Sequence, residues 1–389
     1  MLENKSVGQW TMSLPVPVEF GEGCLNKLGN HLKEYRRAIL LTGKRAMKES
    51  GVTDRICGLL TEAGVEYRVY DGVSPDPDYI EIEEAAQIAK ELGADVIIGC
   101  GGGSVLDAAK ATAVAATHDG PILDYRAGGT REITSATLPV IAITATSGTG
   151  SHIGRAAVIS DPERGLKFPI FSDYMYPTLA FCDPEILRTM PPNVTACTGF
   201  DAFAHALEGY LSTAENPMGN LCAREAIRII TQTLPKAYEN GDDLELRAIM
   251  GWADTLAGVC LATNSIITPH AISLAIGKRY GIAHGAALAS IMPSCLRHSA
   301  HGAIEKLADV ARLMGCTEPL SESALADWTI DAVKRLAASV GLDKSIQAYG
   351  IPATDIDSIA EDVNTHYHFR TTCDPVPPDT AKLVEILKK

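Results

Sequence analysis

Four residues in the second half of the chain have types and spacing that can bind a metal ion. Asp201 and His205 are four positions apart in an apolar segment, so on a helix their side chains share one face. His270 follows a proline, and His284 lies 14 residues further on. One carboxylate and three imidazoles suit a divalent first-row metal such as Fe, Zn, Mn or Co. The sequence leaves open whether these side chains meet or are separate core and surface residues.

Two glycine-rich segments in the first half are candidates for binding a phosphorylated coenzyme. Residues 101–107 (Gly-Gly-Gly-Ser-Val-Leu-Asp) join a predicted strand to a predicted helix, where backbone N–H groups can approach a phosphate closely. This segment matches neither the G-x-G-x-x-G nor the Walker pattern. Residues 144–152, rich in hydroxyls and glycine, also follow a predicted strand, and ligands of open α/β sheets bind at the carboxyl ends of strands. Each segment by itself could equally be an ordinary turn.

The elements that must position these residues change type at about residue 190. Before it, β-branched runs alternate with helical stretches, which predicts a parallel sheet with helices on both faces. After it, the chain is rich in Ala and Leu with helical periodicity. We therefore predict an α/β dinucleotide-binding domain over residues 1–190 and an all-helical metal-binding domain over residues 191–389. The predicted strands are residues 37–42, 65–70, 95–100 and 138–144, and the predicted helices between them include 44–63, 80–92 and 107–116.

Composition argues against several classes of protein. The 389 residues are 46% hydrophobic and 21% charged, which is enough apolar material for a folded core. A net charge of −14 repels nucleic-acid backbones, so no nucleic-acid partner is expected. No apolar run reaches the roughly 18 residues of a membrane span, and the N-terminus lacks a signal-peptide pattern. The ten cysteines include no C-x-x-C pair, so we expect a cytoplasmic protein with reduced thiols and no membrane partner.

Taken together, these motifs resemble those of the iron-containing (group III) alcohol dehydrogenase family, from about Leu14 to the C-terminus. Residues 101–107 resemble the family's phosphate loop, and residues 146–151 resemble its loop beside the nicotinamide. The carboxylate and three histidines resemble its metal ligands in type, order and spacing. The resemblance implies coenzyme contacts from Gly43, Gly102, Gly103, Ser104, Asp107, Thr146, Thr149 and Lys167, and metal ligation by Asp201, His205, His270 and His284.

The resemblance implies a Rossmann-like α/β domain followed by an all-α domain, as in dehydroquinate synthase, with coenzyme and metal meeting in the cleft. It implies hydride transfer between a small primary alcohol and its aldehyde, with NADP(H) or NAD(H) as coenzyme. Fe(II) is the implied metal, and zinc or another divalent ion is the alternative. A homo-oligomer, dimeric or larger, is also implied. Two other functions stay open: a dehydroquinate synthase-like lyase or cyclase, and a catalytically impaired binding relative.

The sequence departs from the family pattern beside the metal ligands. Leu274 stands four residues after His270, where the family usually has a second histidine that relays protons. The route of the proton is therefore uncertain. We predict that His270 and His284 are catalytic, and we hypothesise that His366 or His368 replaces the missing relay. The alternative is that the segment around His366 and His368 is a solvated loop.

Further departures concern the coenzyme side. His152 stands where the family usually has glutamate, and Asp76 stands where it commonly has an asparagine between two prolines. Gly43 ends the first predicted strand, where NAD-preferring members often carry an acid that repels a 2′-phosphate. Because Lys44 and Arg45 follow, we hypothesise that NADP(H) is accepted and even preferred. The alternative is that both cations are solvated residues at a helix start.

Overall fold

A parallel sheet forms the centre of the N-terminal half. The computed structural model describes residues 9–388, with only the backbone of Lys278. Six strands run parallel in the order β1-β8-β5-β4-β2-β3, and β6 and β7 form a separate antiparallel hairpin. The strands are β1 (Val18–Phe20), β2 (Arg37–Gly43), β3 (Glu66–Val73), β4 (Val96–Gly101), β5 (Val140–Thr144), β6 (Ala156–Asp161), β7 (Leu166–Phe171) and β8 (Leu179–Cys182).

Helices cover both faces of this sheet because successive side chains of a strand point to opposite faces. In β2, Ile39 and Leu41 belong to the core on one face, whereas Ala38 and Leu40 belong to the core on the other. The helices of this half are α1 (Leu28–His31), α2 (Ala46–Glu49), α3 (Val52–Glu62), α4 (Tyr79–Leu92), α5 (Gly103–Ala115) and α6 (Pro184–Leu187).

Ten helices form the described part of the C-terminal half. They are α7 (Pro192–Leu211), α8 (Pro217–Glu239), α9 (Leu244–Thr263), α10 (Thr268–Tyr280), α11 (His284–Ser299), α12 (Ile304–Leu313), α13 (Glu322–Ser339), α14 (Ile356–His366), α15 (His368–Thr371) and α16 (Thr380–Leu387). Helix α7 is buried on nearly all sides from Gly199 onward and packs against α8, α9 and α11. A helix in this position must be apolar all round, so any charged residue on it has to be paired or to bind a ligand.

The predicted fold class is confirmed: a parallel α/β half precedes an all-helical half. The predicted boundary at residue 190 falls between β8 and α7. The predicted helix 44–63 is divided in two at Gly51, which has a φ of 75°. Helix α5 begins at Gly103, four residues before the predicted start. Strands β1, β6, β7 and β8 were not predicted from the sequence.

Across residues 9–388, no single helix has both the length and the apolar composition of a membrane span. Helices α9 and α10 pass such a test only as a pair, and they are bent by 102° at the break between them.

Candidate active site

The carboxylate and three imidazoles predicted to bind a metal lie together. Oδ1 of Asp201 lies 3.5 Å from Nε2 of His270, 3.5 Å from Nε2 of His284 and 3.7 Å from Nε2 of His205. The rings of His205 and His270 stack with centroids 4.6 Å apart. Ligand atoms of Asp201, His270 and His284 all lie within 4.8 Å of one another, and His205 adjoins them at Asp201. These four side chains form the metal cluster.

Three helices bring the cluster together. Asp201 and His205 are on α7, His270 is in the first turn of α10, and His284 is the first residue of α11. Helix α11 approaches α7 very closely, since a Cβ atom on Gly285 would lie 1.9 Å from the carbonyl oxygen of Cys197. Glycine is thus required beside His284 for that histidine to reach the carboxylate on α7.

Carbonyl and carboxylate oxygens outside the cluster hold two of the imidazoles in the tautomer that a metal requires. Nδ1 of His205 donates to the carbonyl oxygen of Gly148 at 3.1 Å, and Nδ1 of His270 donates to Oε1 of Glu208 at 2.7 Å. Each bond places the ring proton on Nδ1, which leaves the Nε2 lone pair facing the cluster. Nδ1 of His284 lies 3.3 Å from the hydroxyl of Ser273.

Burial and mutual charge shift the pKa values of these groups. Burial lowers the pKa of His205 to about 4 and that of His284 to about 3, so both are neutral near pH 7. Burial opposes ionisation of Asp201, but the neighbouring imidazoles bring its pKa below the usual range. Burial would also lower the pKa of His270, yet Glu208 and Asp201 raise it to about 9. Asp201, His205 and His284 therefore have the protonation state of a metal ligand without the metal, whereas His270 would release a proton when a metal binds.

The donor set fits a divalent cation. Within residues 9–388, Oδ1 of Asp201 and Nε2 of His270 are buried atoms without a hydrogen-bond partner, which is costly in an empty protein site. A metal ion bound by these atoms would remove that cost. One carboxylate with three neutral imidazoles is the chemistry expected of an Fe(II), Zn or Mn site.

The two glycine-rich segments lie side by side, and they lie next to the metal cluster. Gly101 of β4 pairs with Thr144 of β5, so both segments leave the same edge of the sheet. A Cβ atom on Gly103 would lie 2.5 Å from the side chain of Thr149. Within the described residues, the hydroxyls of Thr146 and Ser147 are buried without a hydrogen-bond partner. These unpaired hydroxyls and the start of α5 fit a polar coenzyme.

The other residues predicted to contact the coenzyme make protein contacts in this region. Asp107 accepts from the Ser151 hydroxyl at 2.6 Å and from the backbone N–H of Val158 at 2.9 Å, so it anchors α5 to its neighbours. The hydroxyl of Ser104 accepts from the backbone N–H of Asp76 at 3.2 Å. Gly102 caps α5, Gly43 ends β2 at the same edge of the sheet, and Nζ of Lys167 lies 2.7 Å from Oδ1 of Asp76.

Asp76, one of the departures from the family pattern, has a backbone conformation that is rare outside glycine. Its φ is 56°, and its carboxylate forms an ion pair with the ammonium of Lys167. Lys167 is almost buried and lies near α10, where its charge contributes to the low pKa of His284. Strained backbone of this kind concentrates at functional sites. The carboxylate at position 76 thus compensates a cation that lies between the coenzyme loops and the metal cluster.

His152, another departure, faces the helical half and not the coenzyme. Its side chain is fully buried, with Nε2 3.0 Å from the Thr255 hydroxyl and Nδ1 3.8 Å from Oδ2 of Asp254. Burial lowers the pKa of His152 to about 4 and raises that of Asp254 to about 8. Asp254 also accepts from the backbone N–H of Gly150 at 2.9 Å. His152 therefore has a structural role, because it fixes the loop of residues 144–152 to α9.

In the segment proposed to replace the proton relay, the side chains that are buried are not those of the two histidines. The imidazoles of His366 and His368 are exposed, and the metal cluster does not include them. Tyr367 is buried, and Arg370 is partly buried with its Nε shielded from solvent. Leu274 is partly buried against the helical core, one turn after His270. The geometry thus gives no support to a relay through either exposed histidine.

Sequence reasoning missed Glu208, Lys110 and Asp254. Glu208 is fully buried, and a signal was present, because it lies seven residues after Asp201 on the same face of α7. Lys110 is buried in α5, where its ammonium donates to Oγ of Ser151 at 2.8 Å. No comparable pattern marked the other two, because Lys110 is buried by the carbonyls of residues 151–156 packed on α5, and Asp254 by the contact of α9 with Gly150.

Comparison with known proteins agrees with this geometry. Residues 15–184 match the model of the family "Iron-containing alcohol dehydrogenase", and residues 195–389 match that of "Fe-containing alcohol dehydrogenase family, C-terminal". The chain belongs to the iron-containing alcohol dehydrogenase family. The resemblance found in the sequence is thereby confirmed, as is the assignment to an oxidoreductase family.

Individual members of this family are similar over nearly the whole chain. The NAD-dependent methanol dehydrogenase of Bacillus methanolicus is 30% identical over 96% of this chain and 97% of its own length. The 1,3-propanediol dehydrogenase of Citrobacter freundii is 33% identical over 88% of this chain and 89% of its own. Among solved structures, an archaeal halo-thermophilic alcohol dehydrogenase from a Red Sea brine pool superposes with a TM-score of 0.94, at 33% identity and 98% coverage of both chains.

Proposed function

We propose that this chain is an NAD(P)-dependent, divalent-metal-dependent alcohol dehydrogenase that interconverts a small primary alcohol and its aldehyde by hydride transfer. The observation that carries the proposal is the close approach of Asp201, His270 and His284, with His205 adjoining Asp201, beside the loop of residues 144–152. The relatives named for methanol and 1,3-propanediol act on small alcohols, which supports this substrate size.

The four cluster residues would hold the metal, for which Fe(II) is the expectation and zinc or another divalent ion the alternative. When bound, the metal supplies Lewis acidity for the substrate's oxygen, and the nicotinamide supplies or accepts the hydride. The protein's own part is orientation. Glu208 and the carbonyl of Gly148 fix the rings of His270 and His205, and Leu274, one turn after His270, is a partly buried apolar residue.

The coenzyme would bind along the edge of the sheet from Gly43 to the unpaired hydroxyls of Thr146 and Ser147. We further propose that NADP(H) is accepted as well as NAD(H), because β2 ends in glycine and Arg45 follows two residues later. Lys44 contributes less to this preference, since its ammonium lies 2.8 Å from the Ser74 hydroxyl and 3.9 Å from Glu81. Assembly as a homo-oligomer, the expectation from the family resemblance, is part of the same proposal.

An initial-rate assay tests these proposals. The protein is purified without oxygen, loaded with Fe(II) and mixed with short aldehydes and either NADH or NADPH, with a chelator-treated sample in parallel. We expect oxidation of both coenzymes, and loss of turnover on chelation. Asp201→Asn should lose bound metal and turnover together, whereas the exposed control Asp357→Asn should keep both.

Three results would contradict the proposals. Turnover that survives chelation would remove the metal from the reaction. Absence of net coenzyme oxidation with every aldehyde would favour a lyase or cyclase that uses its coenzyme only transiently. Activity with NADH alone would refute the proposal for NADP(H).

A further inference from the structure

A partly buried positive charge lies on the helix that packs against α10, the helix of His270. Arg370 is on the short helix α15, and its Nε is shielded from solvent without a hydrogen-bond partner in residues 9–388. Its guanidinium makes no ion pair within that range, and it lies 5.0 Å from the ring centroid of the adjacent Phe369. A guanidinium presents five donors that match a carboxylate, sulfonate or phosphonate. Leaving such a group buried and unpaired is costly unless a ligand completes it.

The surrounding segment fixes the position of α15 next to α10. Before it, Tyr367 is buried, with its hydroxyl against the backbone of Lys167. After it, buried Asp374 accepts from the hydroxyl of Thr268 at 2.6 Å, which ties the segment to the start of α10. Helix α15 itself packs against α10, the helix that carries His270. The segment is therefore held from both sides.

The surroundings of Arg370 differ from those of an exposed arginine, because α15 packs against α10. Burial lowers the pKa of Arg370 itself to about 10, with Glu208 as the main opposing charge. Glu208 makes no direct ion pair with Arg370, since its two oxygens accept from His270 and from the backbone N–H of Ile267.

The charge balance of the cleft therefore favours an anion. Lys167 is compensated by Asp76, whereas Arg370 forms no ion pair among residues 9–388. A divalent ion held by the single carboxylate of Asp201 would add one net positive charge, which the nearby carboxylate of Glu208 offsets. The charge of Arg370 would then remain, and a substrate with an anionic end would pair with the guanidinium.

We propose that Arg370 binds an anionic group at the far end of the substrate. The substrate class is then a short alcohol or aldehyde that carries a carboxylate, sulfonate or phosphonate a few carbons from the reacting end. Leu274, one turn after His270, provides apolar contact for the connecting carbons. This inference rests on the proposed function, since it names the substrate class of the same site.

Matched substrate pairs test the proposal. With the Fe(II)-loaded enzyme and NADH, kcat/KM is compared for 4-oxobutanoate against butanal, and for sulfoacetaldehyde against acetaldehyde. We expect the wild type to prefer the anion in at least one pair by about tenfold or more. Arg370→Gln should lower that preference by about 10- to 150-fold, the range of a charged hydrogen bond, and Arg370→Lys by less. The control Arg279→Gln, a half-exposed arginine paired with Asp355 and Asp362, should leave the preference unchanged.

The outcomes separate this inference from the proposed function. Turnover of the neutral aldehydes without an anion preference in either pair would overturn the inference and leave the dehydrogenase intact. A preference that persists in Arg370→Gln would also overturn it. So would a loss of NADH affinity at constant preference, which would assign the guanidinium to the coenzyme. If no aldehyde is turned over, the proposed function fails. Calorimetric titration with 4-hydroxybutanoate then decides: binding that weakens about tenfold or more in Arg370→Gln supports the anion site, and absence of binding refutes it.

Discussion

Replacing Glu208 with glutamine should weaken the metal site without removing a ligand. Oε1 of Glu208 accepts from Nδ1 of His270 at 2.7 Å, and Oε2 accepts from the backbone N–H groups of Ile267 at 2.9 Å and His270 at 3.3 Å. The carboxylate thus receives three donors and offers none. Glutamine has nearly the same shape, but it must present an NH₂ group on one side.

Both orientations of the amide are unfavourable. If its oxygen faces Nδ1 of His270, its NH₂ group faces the two backbone donors, and each unsatisfied buried donor costs about 1–3 kcal/mol. If the NH₂ group faces Nδ1, the ring proton must move to Nε2, where it removes the lone pair needed by the metal. Loss of such a partner typically costs about 10- to 100-fold in metal affinity, or about 1.4–2.7 kcal/mol.

Competition with a calibrated chelator measures this affinity, and denaturant unfolding of the metal-free protein measures stability. We expect Glu208→Gln to raise the metal Kd about 10- to 100-fold and to lower the unfolding free energy by about 1–3 kcal/mol. The matched control is Glu225→Gln, since Glu225 is an exposed acid whose oxygens accept from Arg228 on the same helix at 2.6 and 2.9 Å. A folded Glu208→Gln protein with wild-type metal affinity would refute the orienting role of this carboxylate.

Two further predictions follow from the buried and exposed groups around the cleft. Because burial raises the pKa of Asp254 to about 8, the folded state favours its protonated form, and stability is lost as pH rises toward 8. His152, with a pKa of about 4, opposes this only below its unfolded value near 6.5. Asp254→Asn should therefore reduce the loss of unfolding free energy between pH 6.5 and 8 by about 1–2 kcal/mol; an unchanged pH profile would count against it. Since His366 and His368 are exposed, their alanine variants should each keep kcat within about twofold, and a drop of tenfold or more would restore the relay hypothesis.

The strands and helices that the sequence predicted are those whose pattern is long and regular. Three of the four predicted strands, β2, β4 and β5, carry long apolar runs, as expected of strands buried on both faces, and the edge strand β3 alternates polar with β-branched or aromatic residues. The missed strands are three to six residues long and carry at most four consecutive apolar residues. β1 has three residues and lies at an edge, β7 contains Pro169, and β8 has only four residues. Pairing in the sheet, and not local propensity, decides the conformation of these segments.

The candidate site was predictable where function requires particular residue types at fixed spacing. The cluster residues met that condition, because few other side chains can bind a divalent metal. Asp107 was expected to contact the coenzyme, but both of its oxygens accept from neighbouring elements, which only the packing of α5 could show. Arg370 is a second residue whose surroundings only the packing could show. Its sequence context resembles a solvated loop, and its burial depends on contacts made by Tyr367 and Asp374 on either side of it.

A single loop connects the two halves of the proposed reaction. The carbonyl of Gly148 holds His205 of the metal cluster, and two residues later the N–H of Gly150 donates to Asp254 on α9. The same loop carries the unpaired hydroxyl of Thr146 that we assign to the coenzyme. Gly148 also has no room for a side chain, since a Cβ atom would lie 2.6 Å from the carbonyl oxygen of Thr198 on α7. In the proposed reaction this one segment would position both the metal and the coenzyme, so a hydride donor and its acceptor would need no separate element to align them.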